Sequence, residues 1–209
     1  HNITVVHVVS GLKFALKSQE AGVDAIVAEG FEAGGHNGRD ETTTFCLIPQ
    51  VAREIKIPLI AAGGIGTGRG MLAAMNLGAD GVQIGSRFVT SEESSAHQNF
   101  KEEVVSSGEG ATLLTLKELT PVRLIRNDFF NLIQKAYQRG GGKEELKNIL
   151  GRGRAKKGMF EGDLKEGELE IGQVSGIIDS IKPASKIIEE IIEEFSQAIE
   201  ESNSNKFNF

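Results

Sequence analysis

The chain has no tryptophan, a single cysteine and few aromatics, 6% of its residues and mostly phenylalanine. Without Trp and with rings so sparse, a stacking platform for nucleic-acid bases is not expected. Cys46 stands alone and cannot close an internal disulfide, which fits a reducing compartment, so the expected location is the cytoplasm. No apolar run approaches the roughly 20 residues of a membrane span, and neither end shows a basic-then-apolar leader or a lipidation signal. Positive charge is short as well: 29 Asp and Glu against 23 Lys and Arg leave a formal charge of −6. That balance argues against nucleic acid as a partner, although a few backbone amides can still hold one anionic phosphate. No His, Cys or Asp pair has the spacing of metal ligands, so no metal is expected.

What remains is an ordinary globular composition of 209 residues, 39% hydrophobic and 25% charged, enough for one sizeable core and an added lobe. The run 4–9 is short, β-branched and nearly all apolar, the profile of a buried parallel strand that would enclose His7 in the core. A helix is predicted over 11–21, a second buried strand over 25–28, and a glycine-rich loop over 29–39. Helix 43–55, strand 59–62, helix 67–77 and strand 81–85 follow. Strands recur at a spacing of roughly 25–30 residues, the mark of βα units on a parallel sheet.

Beyond Ser86 the rhythm changes, with helices predicted at 96–106, 127–138, 143–150, 173–180 and 182–202. The polar, glycine-punctuated stretch 151–172 carries too few apolar residues for a barrel strand and reads as a loop-rich lobe or lid. Its cluster Arg152, Arg154, Lys156 and Lys157 is assigned to the surface, and the glutamates of the last helix to a solvated face. The tail 203–209 is expected to fray. The divisions are thus 1–90, a sheet with its helices; 91–172, the helical and loop-rich insertion; and 173–209, the closing helices. The chain opens at His1 with no Met and enters a strand within a few residues, so an N-terminal part is expected outside this sequence.

Two strands end in glycine one βα unit apart: Ala61-Ala62-Gly63-Gly64-Ile65 and Gln83-Ile84-Gly85-Ser86. Glycine lets main-chain N–H groups approach a phosphate with no Cβ in the way, a following helix N-terminus adds a favourable dipole, and Ser86 adds a hydroxyl. Either strand alone is most simply a turn needing positive φ; the pair points to a phosphate cradle at the carboxyl ends of barrel strands. The loop Glu29-Gly30-Phe31-Glu32-Ala33-Gly34-Gly35-His36-Asn37-Gly38 follows a buried strand and sets one imidazole among glycines, where it can serve as an acid or base or simply brace the loop. His97, after Ser94-Ser95, reads as a helix cap.

The segments AEGFEAGGHNG, PLIAAGGIGTGRG, GADGVQIGSRFVTSEESSAHQNFK and GRGRAKKGMFEGDLKEGELEIGQVSG, in this order and spacing, resemble the nitronate monooxygenase and FMN-dependent enoyl-ACP reductase superfamily. The resemblance spans almost the whole chain, excepting the acidic tail. It implies an α/β fold, a TIM-like (β/α)8 barrel of which only the C-terminal half, about four βα units, is here, with strands 59–62 and 82–84 as the seventh and eighth. It implies FMN as the cofactor, its phosphate on Gly63, Gly64, Gly85 and Ser86, with Gln83 near the flavin, Glu29 and Gly30 along its ribityl or ring edge, and Gly34 and Gly35 shaping the site. His36 would be the catalytic histidine. The implied substrate is a small molecule, a nitronate oxidised with O2 or, in the reductase branch, an enoyl thioester with NAD(P)H as donor; a homodimer is the candidate assembly. A non-catalytic phosphate-ligand-binding fragment is the alternative from another class.

Overall fold

The computed structural model describes residues 3–204, and the expectations for the opening His1 and for residues 205–209 of the tail lie outside them. Strands β1 (Val6–Val9), β2 (Ala25–Glu29), β4 (Leu59–Ala62) and β5 (Gly81–Gln83) form one parallel sheet in the order β1-β2-β4-β5. Helices α1 (Leu12–Glu20), α2 (Thr44–Ala52) and α3 (Gly68–Asn76) alternate with these strands. This alternation is that of βα units in a TIM-like barrel. A second sheet, antiparallel and ordered β3-β7-β6, is built from β3 (Gly35–His36), β6 (Thr112–Thr115) and β7 (Val122–Ile125). Short α4 (Ser86–Val89), α5 (Gln98–Ser106), α6 (Asp128–Gln138), α7 (Lys143–Leu150) and α8 (Ala184–Ser202) complete the helices, with a π-helical turn at Lys156–Phe160 and a 3-10 turn at Gln173–Ile177.

These elements divide into two compact units. Unit 1 comprises 1–32, 40–85 and 183–209; unit 2 comprises 33–39 and 86–182. In unit 1 the wholly buried Ile26, Ile48 and Ala61 share one core with Leu47, Val51 and Leu59, each such aliphatic side chain contributing about 1.5–3 kcal/mol of burial. In unit 2, Leu124, Phe129, Ile133 and Leu146 form one cluster, and Phe100, Val104, Leu169 and Ile171 another. Among the described residues no helix is long and apolar enough to cross a membrane.

Several sequence expectations change here. The first strand begins at Val6, and among the described residues Val6, His7 and Val8 are exposed and Val9 is buried. The strand expected over 81–85 ends at Gln83, and the helix expected over 173–180 is a 3-10 turn. Strands β6 and β7 had not been anticipated, although Val122-Arg-Leu-Ile has the β-branched, apolar character of a buried strand. The loop-rich stretch 151–172 is packed down at its end: Glu170 bridges to Leu124, Ile125 N donates to Leu169 O at 2.9 Å, and Leu169 and Ile171 are both 1% exposed.

The last helix is amphipathic as its pattern predicts, yet its buried stripe is narrow. Ile187 and Ile191 are buried, whereas Ile188 and Ile192 remain about half exposed. Its glutamates are more than a solvated face. Glu194 accepts from Gly68 N at 2.7 Å and so satisfies a donor at the front of α3, while Glu201 pairs with Arg69. A Cβ at Gly68 would collide with the backbone of α8 at Ile191 and Phe195. Gly68→Ala should therefore force the two helices apart and cost about 1–3 kcal/mol, read as a lower denaturant midpoint; an unchanged midpoint would show that the contact sets nothing.

Candidate functional site

The carboxyl ends of β2 and β4 converge within unit 1. Gly30 N donates to Ala62 O at 2.9 Å, continuing the ladder one residue past the strands. Gly63 (φ +88°) and Gly64 (φ +71°) then turn through the left-handed region, and a Cβ on Gly63 would lie 2.6 Å from Gly30 O. Both glycines are thus demanded by the fold itself. Thr44, at the front of α2, braces the convergence: its hydroxyl lies 2.7 Å from Gly63 O, and its N–H donates to the Glu32 carboxylate at 2.9 Å. Glu29 closes β2, and burial raises its carboxyl above the ordinary value. Gln83, at the end of β5, is exposed. Gly85 is exposed too; its φ lies outside the left-handed region and a Cβ there would meet nothing within 4 Å. Neither conformation nor crowding within the chain calls for glycine at 85.

The sequence had also offered the front of α3 to a phosphate. That end is occupied: Glu194 takes the N–H of Gly68, and the Thr67 hydroxyl accepts from Gly70 N at 3.0 Å.

Unit 2 holds Gly34, Gly35, His36 and Ser86. His36 does not sit on a pliable loop; it is an exposed residue of β3, paired with Val122 of β7. Asn37 continues that pairing through N–H to Pro121 O at 2.9 Å and folds its side-chain amide onto Ala33 O at 2.8 Å. Arg39 donates to Lys117 O and Leu119 O at 2.9 and 2.7 Å, so the charged sequence after the histidine anchors this segment. Gly34 is required by close packing, since a Cβ would strike the Ile171–Gly172 backbone. Gly35 has φ +71°, and a Cβ there would lie 2.5 Å from a Glu170 carboxylate oxygen. The Ser86 hydroxyl accepts from Gly172 N at 2.9 Å and keeps its own proton to donate. His97 caps α5 as expected, its Nδ1 accepting from Asn99 N at 3.1 Å.

A cavity of about 250 Å³ in unit 2 is lined by His36, Val122, Leu150, Arg154, Glu168 and Glu170 among others. Arg154 is no surface cation. Its Nε donates to the last carbonyls of α7, Ile149 O and Leu150 O, at 2.9 and 3.0 Å, and its guanidinium stacks over Phe129 at 4.5 Å. Glu168 is 7% exposed. Burial, then the charge of Glu170, lifts its carboxyl to about 7 against the opposing pull of Arg154. Burial also raises Glu170, with His36 opposing. Neither glutamate was singled out by sequence, although Glu168-Leu169-Glu170-Ile171 alternates polar and apolar as a half-buried extended segment does. The folded chain holds the Glu168 proton more tightly than the unfolded chain, so this group's contribution to stability is fully present below the ordinary carboxylate range and is lost as pH rises through about 7. Glu168→Gln should therefore gain up to about 3 kcal/mol over the parent at pH 8 and nothing at pH 4, read as melting temperatures; a pH-independent difference would contradict the assignment.

The nitronate monooxygenase model matches residues 1–194. The probable nitronate monooxygenase of Staphylococcus aureus (strain MSSA476) is 33% identical over 209 residues, 95% of this chain and 58% of that protein. That of Staphylococcus saprophyticus is 40% identical over 141 residues, 62% of this chain and 39% of that protein. Among solved structures, FabK from Thermotoga maritima is 42% identical with a TM-score of 0.90, over 96% of this chain and 63% of that one. Nitroalkane oxidase from Streptomyces ansochromogenes is 27% identical with a TM-score of 0.76, over 93% and 58%. The chain spans about three fifths or less of the length of each of these relatives. With strands, glycine turns and the histidine segment in the order its motifs require, the chain belongs to the nitronate monooxygenase family.

Proposed function

We propose that the protein to which this chain belongs is an FMN-dependent oxidoreductase that oxidises alkyl nitronates with O2. The observation that carries the reading is Gly85: a glycine two residues past β5 with open space where its Cβ would be, its φ outside the left-handed region and no neighbour crowding it among the described residues. A phosphate approaching the main-chain N–H there would meet no side chain. Gly63 and Gly64 would add loop amides, Ser86 its hydroxyl proton, and Gln83 an amide toward the flavin. Glu29 and Gly30 would line the ribityl or ring edge. Bound flavin supplies the two-electron acceptor that is reoxidised by oxygen, and the protein orients it. His36 would be the base that takes the acidic α C–H proton of a neutral nitroalkane and so delivers the nitronate that is oxidised, and Gly34 and Gly35 would shape its surroundings. The cytoplasm is the compartment proposed, and a homodimer the assembly.

A second reading is the NAD(P)H-dependent enoyl-ACP reductase branch of the same superfamily. The likeness to FabK, 42% identical against 27% for the nitroalkane oxidase, favours keeping it. Anaerobic spectroscopy of the whole protein separates the two. Bleaching of the flavin band by a small alkyl nitronate supports the monooxygenase; bleaching by a nicotinamide alone supports the reductase; a colourless protein that takes up no FMN leaves a non-catalytic phosphate binder.

Two substitutions test the residue roles. His36→Ala should retain full flavin absorbance and lose about 10²–10⁴-fold in turnover of a neutral nitroalkane. A preformed nitronate has already lost that proton and should keep more of its rate. Unchanged nitroalkane turnover removes His36 from the chemistry. Gly85→Val should be purified with little or no flavin while its circular dichroism matches the parent, because a branched Cβ fills the approach to the amide. Full flavin occupancy in that variant refutes the phosphate assignment.

A further inference from the structure

Two carboxyls in the cavity beside His36 have no partner inside the chain. Glu168 is 7% exposed, and neither it nor Glu170 makes a side-chain hydrogen bond or ion pair among the described residues. Other buried charges of this chain are satisfied. Lys101, 4% exposed, gives its ammonium to Ser91 O and Glu92 O at 2.7 and 3.1 Å, and Arg87, 7% exposed, gives Nη1 to Thr90 Oγ1 and Ser180 O. No buried side-chain polar atom is sealed off without a partner among the described residues. The Glu168 oxygens are therefore not sealed; they open on the cavity that the residue lines.

The fold aims both carboxyls there. Leu169 and Ile171 are committed to a hydrophobic cluster, so residues 168 and 170 of this extended segment project to the opposite side. The Glu170 carboxylate lies against Gly35, in the place any Cβ would take. Arg154 lines the same cavity but is engaged elsewhere, with Nε on Ile149 O and Leu150 O and Nη1 on Glu166. Val122, Leu150 and Ala155 supply an apolar wall.

We propose that this cavity is a cation subsite: it takes the alkylammonium end of a small molecule, with Glu168 and Glu170 as acceptors and the apolar wall against the alkyl chain. A carboxyl withdrawn from water without a partner is costly, and a donor that fills the gap offsets that cost. An ammonium carries three N–H donors and no acceptor, the complement of two carboxyls on one side. A carboxyl oxygen accepts whether or not its neighbour holds a proton, so the match stands in either state, and ionisation strengthens it. An anion fits in the opposite sense, lone pair against lone pair. The volume of about 250 Å³ falls below the roughly 300–1,000 Å³ of sites for drug-sized ligands and restricts the guest to a short chain. Because His36 lines the cavity as well, the substrate class it selects is a nitro compound bearing a primary amine. That last step rests on the proposed function; binding of the ammonium does not.

The test is a titration of the whole protein with n-butylammonium chloride, n-butanol and sodium butyrate at matched ionic strength. It is followed on the ring signals of His36, which His36→Ala identifies by their loss. Butylammonium should give a saturable shift and bind at least about tenfold more tightly than either other probe. Glu168→Gln and Glu170→Gln should each weaken it by about tenfold. Equal affinity for the three probes, no saturable shift with butylammonium, or undiminished affinity in both variants overturns the proposal. Should one variant not fold, the other variant and the order of the probes in the parent decide. Turnover of 3-nitropropylammonium against 1-nitropropane by the flavin-loaded protein then separates the two readings. The ammonium compound should have the higher kcat/KM, and Glu168→Gln should abolish the margin. If neither nitro compound is oxidised while butylammonium binds, the functional reading falls and the subsite stands. If 1-nitropropane is oxidised and butylammonium does not bind, only this inference falls.

Discussion

The close crossing of Gly30 over Gly63 is the constraint on which the parallel-sheet unit depends. Two neighbouring parallel strands normally diverge into separate turns. Here β2 and β4 stay hydrogen-bonded one residue beyond their ends, through Gly30 N and Ala62 O, and the chain then turns away at 63 with its Cα against the Gly30 carbonyl. Only a residue without a Cβ fits. Thr44 sits over the same junction and meets the Gly63 carbonyl, the Ala62 carbonyl and the Glu32 carboxylate. Glu32 in turn accepts from the first turn of α2, where a carboxylate complements the helix dipole. The geometry at the strand ends is thus set by backbone sterics and one polar knot rather than by the apolar core beneath.

That constraint separates the glycines into kinds that look alike in sequence. Gly63, Gly64 and Gly35 adopt positive φ, and Gly34, Gly35 and Gly63 face groups that a Cβ would displace, so the fold alone accounts for them. Gly85 has neither reason. Gly11, Gly81, Gly108 and Gly142 share that openness among the described residues, so openness by itself does not set Gly85 apart; its place after β5 and before Ser86 does. The front of α3 loses weight as an anion site: Glu194 and Thr67 already satisfy Gly68 and Gly70.

Much of the parallel sheet was legible because its signal is local. Short β-branched runs, glycine stops and helical periodicity located β2, β4, α1, α2 and α3 to within a few residues. The family resemblance was legible for a different reason, four motifs in fixed order. What escaped was non-local. The sequence near His36 reads as a loop, and it becomes strand β3 only through pairing with Val122 and Arg123, more than 80 residues away. Arg154 reads as one of a surface cluster, and its place over Phe129 and at the carbonyl end of α7 depends on packing that no short window contains.

The stretch around Glu168 and Glu170 shows how such non-local placement changes chemistry. As sequence it is polar and glycine-rich, and polarity is ordinarily a sign of solvation. Once Leu169 and Ile171 are committed to the hydrophobic cluster, the period of two obliges the alternate glutamates to face the other way, into the cavity beside Arg154. Removing those carboxyls from water makes their ionisation costly and mutually dependent, which surface glutamates of the same sequence would never be. A buried acidic pair is poor economy for stability, since two apolar residues would fill the same space without that cost.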